Sequence, residues 1–175
     1  MKRRVFIKRA VIVAIAVPVI GYVFGIRALA FPGESMAPTV RAGDTLIALV
    51  APWHARSVSR FDMVIFDLPP EFEKENQAWH RVPWMKRLLG LPGEHVQIDP
   101  TGIFINGLKL ELPKPLVLAQ LVTADPTMKW LDVELGPDEY FVIGDKPTSS
   151  VDSRSMGPLK RQFLKGYVWK VIHHR

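Results

Sequence analysis

The sequence predicts a mainly β protein: a compact antiparallel sheet, barrel-like in form, preceded by one N-terminal transmembrane helix. Several short segments are rich in β-branched and aromatic residues, and glycine, proline and aspartate separate them. Fifteen prolines disfavour long helices after the N-terminal region. No helical crossover lies between the segments, so their strands are expected to pair antiparallel.

Six strands are predicted from these segments. They are Asp44–Val50, Asp62–Leu68, His95–Asp99, Gly102–Gly107, Tyr140–Asp145 and Lys165–Ile172. The letters "INGL" at Ile105–Leu108 predict a hairpin, because Asn-Gly suits the type I′ turn. Residues 69–77 are expected to form a charged loop, and residues 113–129 an irregular excursion.

The N-terminal region predicts a basic cytoplasmic tail over residues 1–9 and a transmembrane anchor over residues 10–30. The 17 uncharged residues Ala10–Ile26 would span roughly 25 Å as a helix, close to the ~30 Å hydrocarbon core. Arg27 can snorkel, which would let residues 28–31 extend the apolar length. Five cations precede the run, so residues 31–175 are expected on the outer, periplasmic side of the cytoplasmic membrane.

A cleaved signal peptide is the alternative for this region. The tripeptide Ala28–Ala30 fits the small-x-small cleavage rule, and the charged start fits as well. The apolar run is long for a signal peptide, however, and Arg27 stands where a neutral residue is usual. We therefore expect the anchor to be retained.

Charge and composition exclude several other functions. Six of the 23 basic residues lie before residue 28, so residues 28–175 carry 17 basic and 17 acidic side chains. This balance argues against a nucleic-acid partner, which needs a basic surface on the folded body. The chain has no cysteine, and its five histidines show no metal-ligand spacing, so we expect neither a metal nor a cofactor.

One serine and one lysine are candidates for nucleophilic chemistry. Ser35 follows the apolar run in the stretch "PGESMAPTV", and a serine hydroxyl needs an adjacent base to become a nucleophile. Lys86 lies among apolar residues in "WMKRLLGLPGEHV", and burial can lower a lysine pKa until the amine is neutral near pH 7. A serine–lysine pair is a known variant of the catalytic triad. Taken alone, this observation favours an ordinary surface cation at the end of a strand as the reading of Lys86.

Three motifs in order give the pair its context. They are "SMAPT" (Ser35–Thr39), "KRLLGLPGE" (Lys86–Glu94) and "GDKPTSSVDSR" (Gly144–Arg154), each expected at a strand–loop junction. Together they resemble the type I signal peptidases, membrane-anchored serine–lysine endopeptidases that remove signal sequences. The strand "RFDMVIF" (Arg60–Phe66) is similar to the family's intervening strand, which usually has glycine in place of Phe61.

The resemblance implies a role for each matching residue. Ser35 would be the nucleophile, Lys86 the general base, and Ser150 the residue whose hydroxyl orients the lysine amine. The Ser35 backbone amide would donate to the oxyanion, and Gly144 would permit a close backbone approach. Four charged residues would brace the site through ion pairs: Asp145, Asp152, Arg154 and Arg87.

The sequence departs from the family's pattern at two positions near the site. Some members have a serine two residues before the nucleophile that completes the oxyanion hole, and here Gly33 has no side chain to offer. The third motif usually begins Gly-Asp-Asn, and here Lys146 replaces the asparagine. Neither change alters the serine–lysine pair.

The resemblance also implies a preprotein substrate bound in an extended conformation against a sheet edge. Shallow apolar pockets would select small side chains in the pattern Ala-x-Ala. The residues expected to line them are Phe31, Met36, Val40, Trp84 and Met85. Two alternatives stay open: a specialised peptidase that matures a conjugative pilin or transfer protein, and a non-catalytic β-domain tethered to the membrane.

Overall fold

The computed structural model describes residues 25–50, 58–73, 83–113 and 130–174, which fold mainly into antiparallel β-strands. The predicted cytoplasmic tail, residues 10–24 of the predicted anchor and residues 114–129 of the expected excursion lie outside the described residues. Within the described ranges, no helix has the length and apolar character to cross a membrane.

The strands and helices follow one another with short connections. In chain order the strands are β1 (Ile26–Ala30), β2 (Thr45–Val50), β3 (Met63–Phe66), β4 (Trp84–Gly90), β5 (His95–Asp99), β6 (Gly102–Ile105), β7 (Leu108–Lys109), β8 (Leu131–Glu134), β9 (Glu139–Ile143), β10 (Leu159–Lys160) and β11 (Leu164–Ile172). Two single-turn α-helices, α1 (Pro70–Glu73) and α2 (Ser153–Met156), and 3₁₀ turns at Pro147–Ser149 and Arg161–Phe163 complete the described elements.

These strands form two sheets. The larger sheet has the order β1–β2–β11–β3–β4–β9–β10, and the smaller one has the order β7–β6–β5–β8. The two edge strands of the larger sheet, β1 and β10, do not pair with each other in the described part of the chain. The prediction of a mainly β fold with antiparallel strands is confirmed. The larger sheet is open over the described residues, whereas the sequence predicted a barrel-like closure.

All six predicted strands are present, at β2, β3, β5, β6, β9 and β11; the bounds of β5 match the prediction, and those of the others differ by one or two residues at an end. The predicted hairpin is present as well. Ile105 pairs with Leu108, and the two residues between them have positive φ angles, 52° at Asn106 and 76° at Gly107. Positive φ at both central positions is the geometry of the type I′ turn.

The structure differs from the sequence prediction at two strands. Residues 26–30 were expected to continue the anchor, but they form β1, which pairs antiparallel with β2 along its whole length. The second motif was expected at a strand–loop junction, but Lys86 lies inside β4. Residues 85–90 are all buried, so β4 lacks the alternation of apolar and polar residues that marks a half-buried strand.

An unusual backbone angle explains the glycine that the resembled pattern has at position 61. Phe61 has a φ of 73°, in the left-handed region that glycine adopts most readily. Two hydrogen bonds hold this turn against β4. The Phe61 amide donates to the Leu88 carbonyl at 2.8 Å, and Arg87 donates to the Phe61 carbonyl at 2.7 Å.

The backbone of β11 at Gly166 lies too close to β2 to leave room for a side chain. A Cβ atom there would lie 1.9 Å from the Leu49 carbonyl oxygen of the neighbouring strand. Gly166→Ala should therefore separate β11 from β2 and lower the free energy of unfolding by at least about 3 kcal/mol, measured by urea denaturation. Gly43→Ala is the control, because Gly43 has a φ of 94° and open space around it, so it carries only backbone strain of about 1–2 kcal/mol. Equal losses in the two variants would contradict the prediction.

Candidate active site

A serine and a lysine that are distant in sequence meet beside β4 of the larger sheet. Ser35 lies in the turn that follows β1, which we call the Ser35 loop (residues 31–40), and Lys86 projects from β4. The Lys86 Nζ atom lies 2.7 Å from Ser35 Oγ and donates a hydrogen bond to it. A neutral amine at this distance could instead accept the hydroxyl proton, which is the first requirement for a serine nucleophile.

Two buried side chains fix the Ser35 loop to the core. Met36 and Val40 are both 0% exposed, and they pack in one apolar cluster with Leu46 and Ile65. The Val40 amide donates to the Met36 carbonyl at 2.8 Å, which closes the turn. These two residues pack toward the core and do not border the cleft described below, so their part in substrate binding stays a prediction.

Burial makes Lys86 a weaker base for protons than an exposed lysine. Its residue is 3% exposed, and desolvation lowers the pKa of its amine from 10.5 to about 8. Nearby charges modify this effect: Asp152 and Asp145 raise the pKa, whereas Arg154 lowers it further. The amine is thus neutral in a substantial fraction of molecules near pH 8.

The ring of Trp84 adds a contact with the lysine amine. Its centroid lies 5.3 Å from Lys86 Nζ, a distance at which a cation is attracted to the face of an aromatic ring. This contact favours the ammonium form and so opposes desolvation. Trp84 therefore covers the lysine while stabilising the positive charge whenever the amine is protonated.

The Ser35 backbone amide is free to donate. Among the described residues it has no hydrogen-bond acceptor, which leaves it available for an oxyanion. At Gly33, a Cβ atom would lie 3.2 Å from the Phe31 ring, so a side chain there would crowd that ring. Position 33 thus offers only its backbone amide as a second donor.

Two ion pairs hold the segment Gly144–Arg154: one joins it to β4, and the other lies within it. Arg87 Nε donates to Asp145 at 3.1 Å, and Arg154 Nε donates to Asp152 at 2.8 Å. Asp152 also accepts from the Gly144 amide at 2.9 Å and caps the start of α2. The charges that tune the Lys86 pKa are therefore held in fixed positions.

Ser150 does not form the hydrogen bond to Lys86 that the resemblance implies. Its hydroxyl oxygen is buried and has no hydrogen-bond partner in the described part of the chain. A Cβ atom on Gly144 would lie 2.2 Å from this oxygen and 2.7 Å from the Ser35 carbonyl oxygen. Gly144 therefore lets both serines approach the same backbone, and the orienting role of Ser150 stays a prediction.

The amine and the hydroxyl open onto an apolar cleft of about 300 Å³. Three of the predicted lining residues, Phe31, Trp84 and Met85, border it. Five further lining residues were not predicted: Pro32, Glu34, Pro83, Ser149 and Val151. Val151 is an exposed apolar residue among polar neighbours in the third motif. That contrast in the sequence could have identified it as a lining residue.

The described histidines are engaged away from this pair. His95 bonds to Asp132, His173 bonds to Asp44, and His174 bonds to Thr45. Within the described ranges, no group of three or more histidine, cysteine, aspartate or glutamate side chains could hold a metal ion. Lys86 is therefore the basic group that contacts the Ser35 hydroxyl.

Known proteins match the chain along most of its length. The family model described as "Signal peptidase, peptidase S26" matches residues 3–172. "Signal peptidase I" of Leptolyngbya laminosa is 30% identical over 135 residues, which cover 77% of this chain and 63% of that protein. "Signal peptidase I V" of Bacillus subtilis (strain 168) is 30% identical over 145 residues, which cover 78% of this chain and 79% of that protein.

The fold has a counterpart among solved structures. The crystal structure of a signal peptidase I from Enterococcus faecalis V583 is 26% identical, with a TM-score of 0.50, over 63% of this chain and 96% of that one. The chain spans 63% of the length of the Leptolyngbya protein and 66% of that of a probable signal peptidase I-2 from Synechocystis. Because the family model matches nearly the whole sequence, the chain belongs to the signal peptidase family, peptidase S26.

Proposed function

We propose that this chain is a serine endopeptidase that removes N-terminal signal peptides from exported preproteins. Ser35 is the nucleophile, and Lys86 is the general base. The observation that carries the proposal is the 2.7 Å contact between Lys86 Nζ and Ser35 Oγ, made by a lysine that is almost fully buried. Membership of the signal peptidase family supports the same reaction.

The reaction proceeds in two steps. The neutral Lys86 amine takes the Ser35 proton while Oγ attacks the scissile carbonyl carbon, and the Ser35 amide donates to the oxyanion. The Lys86 ammonium then gives its proton to the leaving amine, and the peptide bond breaks to leave an ester on Ser35. A water molecule, deprotonated by Lys86, hydrolyses the ester and restores the hydroxyl.

The surroundings of Lys86 suit both of its protonation states. Desolvation favours the neutral amine that starts the reaction, whereas Asp152, Asp145 and the Trp84 ring favour the ammonium that forms during it. A pKa of about 8 lies close to neutral pH, where a group can both accept and return a proton efficiently. Ser150 is proposed to orient the amine once substrate fills the cleft.

The cleft favours an extended peptide with small side chains. Phe31, Trp84, Met85 and Val151 give it an apolar lining, and its volume of about 300 Å³ limits what can enter. A peptide laid along the cleft as an added strand would present alternate side chains to this lining. The motif Ala-x-Ala meets both conditions, because larger side chains would be excluded sterically.

A membrane anchor is part of the proposal. The basic tail over residues 1–9 and the apolar run that follows it in the sequence would hold the N-terminus in the cytoplasm and residues 31–175 outside. Only β1 and the start of the Ser35 loop lie between the apolar run of residues 10–25 and Ser35 in the sequence. The nucleophile would therefore work near the outer surface of the bilayer, where a preprotein's cleavage site emerges.

Substitution of either member of the pair should abolish cleavage. Ser35→Ala and Lys86→Ala should each reduce cleavage of a labelled preprotein by at least about 10³-fold, and the double variant should be scarcely slower, because the two residues act as a unit. Lys165→Ala is the control, since Lys165 is an exposed lysine that pairs with Asp67. Circular dichroism checks that the variants fold. A Lys86→Ala protein within tenfold of the parent would refute the assignment, and a pilin precursor assayed in parallel separates general from specialised processing.

The pH dependence of cleavage should report the Lys86 amine. The acidic limb of kcat/KM should have its midpoint near the pKa of about 8, and activity should fall as pH drops through it. Arg154→Gln should move this limb to higher pH, because it removes a cation that lowers the Lys86 pKa and leaves Asp152 uncompensated. Arg161→Gln, which removes an exposed cation paired with Asp138, should leave the limb in place. A limb that both variants leave unchanged would show that another group is the base.

A further inference from the structure

Glu34 and Lys146 form an ion pair across the residues that flank Ser35. Glu34 directly precedes Ser35 and lines the cleft, whereas Lys146 follows Asp145 in the segment Gly144–Arg154. The Lys146 Nζ atom lies 2.6 Å from Glu34 Oε2. The hydrogen bond from Lys146 and its positive charge hold the pKa of the Glu34 carboxyl below its usual value.

Lys146 also holds Ser35 through the main chain. Its amide donates to the Ser35 carbonyl at 2.9 Å. One residue therefore fixes the carbonyl of the nucleophile through its backbone and the preceding side chain through its own side chain. These two contacts are independent, because a substitution of the Lys146 side chain leaves the amide in place.

The other contacts that hold the Ser35 loop are made by buried apolar side chains and by the backbone. Met36 and Val40 bury the part of the loop that follows Ser35. On the preceding side, Phe31 is buried in the apolar cluster of Met36 and Val40, and the Ala37 amide donates to the Glu34 carbonyl at 3.0 Å, whereas Pro32 is exposed and Gly33 has no side chain. Among the described residues, Lys146 is the hydrogen-bond partner of the Glu34 side chain.

The location of this pair distinguishes it from other surface ion pairs. An exposed pair contributes little to stability, because water screens both charges. The Glu34–Lys146 pair joins the Ser35 loop to the segment Gly144–Arg154. It can therefore favour one position of the Ser35 loop over others while adding little to the free energy of unfolding. The asparagine usual in the resembled motif is shorter and uncharged, so this ion pair is a feature of the chain's own lysine.

We propose that the Glu34–Lys146 pair is an electrostatic latch that positions Ser35 for proton transfer to Lys86, an inference that rests on the proposed function. Both members are positioning residues, since neither touches the hydroxyl or the amine that react. The latch predicts that kcat depends on their opposite charges more than on the identity of either side chain. It also predicts that salt, which screens exposed charges, slows the reaction.

The test compares single, double and charge-swapped variants. Lys146→Gln and Glu34→Gln should each lower kcat about threefold with little change in KM, and the double variant should be no slower than either single one. The swap Glu34→Lys with Lys146→Glu should restore kcat to within about twofold of the parent. Adding 0.5 M KCl, a concentration chosen to shorten the screening length to roughly 4 Å, should slow the parent and leave Lys146→Gln almost unaffected.

A matched pair elsewhere supplies the control. Lys165 and Asp67 form an exposed ion pair, with 2.7 Å between Lys165 Nζ and Asp67 Oδ2. Neither residue borders the cleft. Lys165→Gln should leave kcat unchanged and shift the thermal midpoint as little as Lys146→Gln does. A loss of activity that followed thermal stability in both variants would indicate a purely structural role and overturn the latch.

A second readout separates the latch from the proposed function. Acylation of Ser35 by the small ester p-nitrophenyl acetate, followed by mass spectrometry, reports nucleophile positioning without a peptide substrate. Failure of the parent to cleave any precursor would defeat the proposed function, while slower acylation of the Lys146→Gln protein would still support the latch. Equal acylation rates in the parent and in both single variants would overturn the latch, whatever the precursor assay shows.

Discussion

The burial of the Lys86 amine beside Ser35 is the constraint on which the rest of the structure depends. Lowering the pKa of this amine from 10.5 to about 8 costs the folded state about 3 kcal/mol at neutral pH. The unfolded chain binds the proton more readily, so the cost is fully present below about pH 8 and disappears as pH rises toward 10.5. Lys86 lies on β4, an interior strand of the larger sheet with β3 and β9 packed on its two sides. The packing and hydrogen bonds of these strands offset the free-energy cost of burying the amine.

The sheet order explains how three distant motifs form one site. β4 carries Lys86 and pairs with β9, where Arg87 lies opposite Ile143. The residues that follow β9, from Gly144 onward, therefore begin next to the lysine strand, and the Arg87–Asp145 pair fixes that junction. The Ser35 loop reaches the same place, because the Lys146 amide binds the Ser35 carbonyl. Backbone pairing sets the coarse geometry, and a few polar contacts then set the distance between hydroxyl and amine.

The sequence was sufficient to predict most strands and the serine–lysine pair, and its failures have physical causes. Strands such as β5 alternate buried and half-buried residues, a period that sequence reveals directly. In β4 nearly every residue is buried, so the sequence has no alternation of apolar and polar residues there. Neither the strand nor the position of Lys86 within it can therefore be recognised from the pattern. Met36 and Val40 are apolar residues of the Ser35 loop, and only the path of the backbone reveals that they pack in the core. The Glu34–Lys146 contact joins two loops, and nothing local in the sequence connects them.

The protonation of Lys86 can be measured directly, because the Cε resonance of a lysine moves when its amine titrates. Lysine labelled with ¹³C at Cε, with the Lys86 signal assigned by its loss in Lys86→Arg, should show one resonance titrating near pH 8. Ser35→Ala should leave that resonance present and still titrating well below the value of about 10.4 that a free lysine has, because burial is the main cause of the shift. A Lys86 resonance that titrates near 10.4 in the folded protein would contradict the assignment of this residue as the general base.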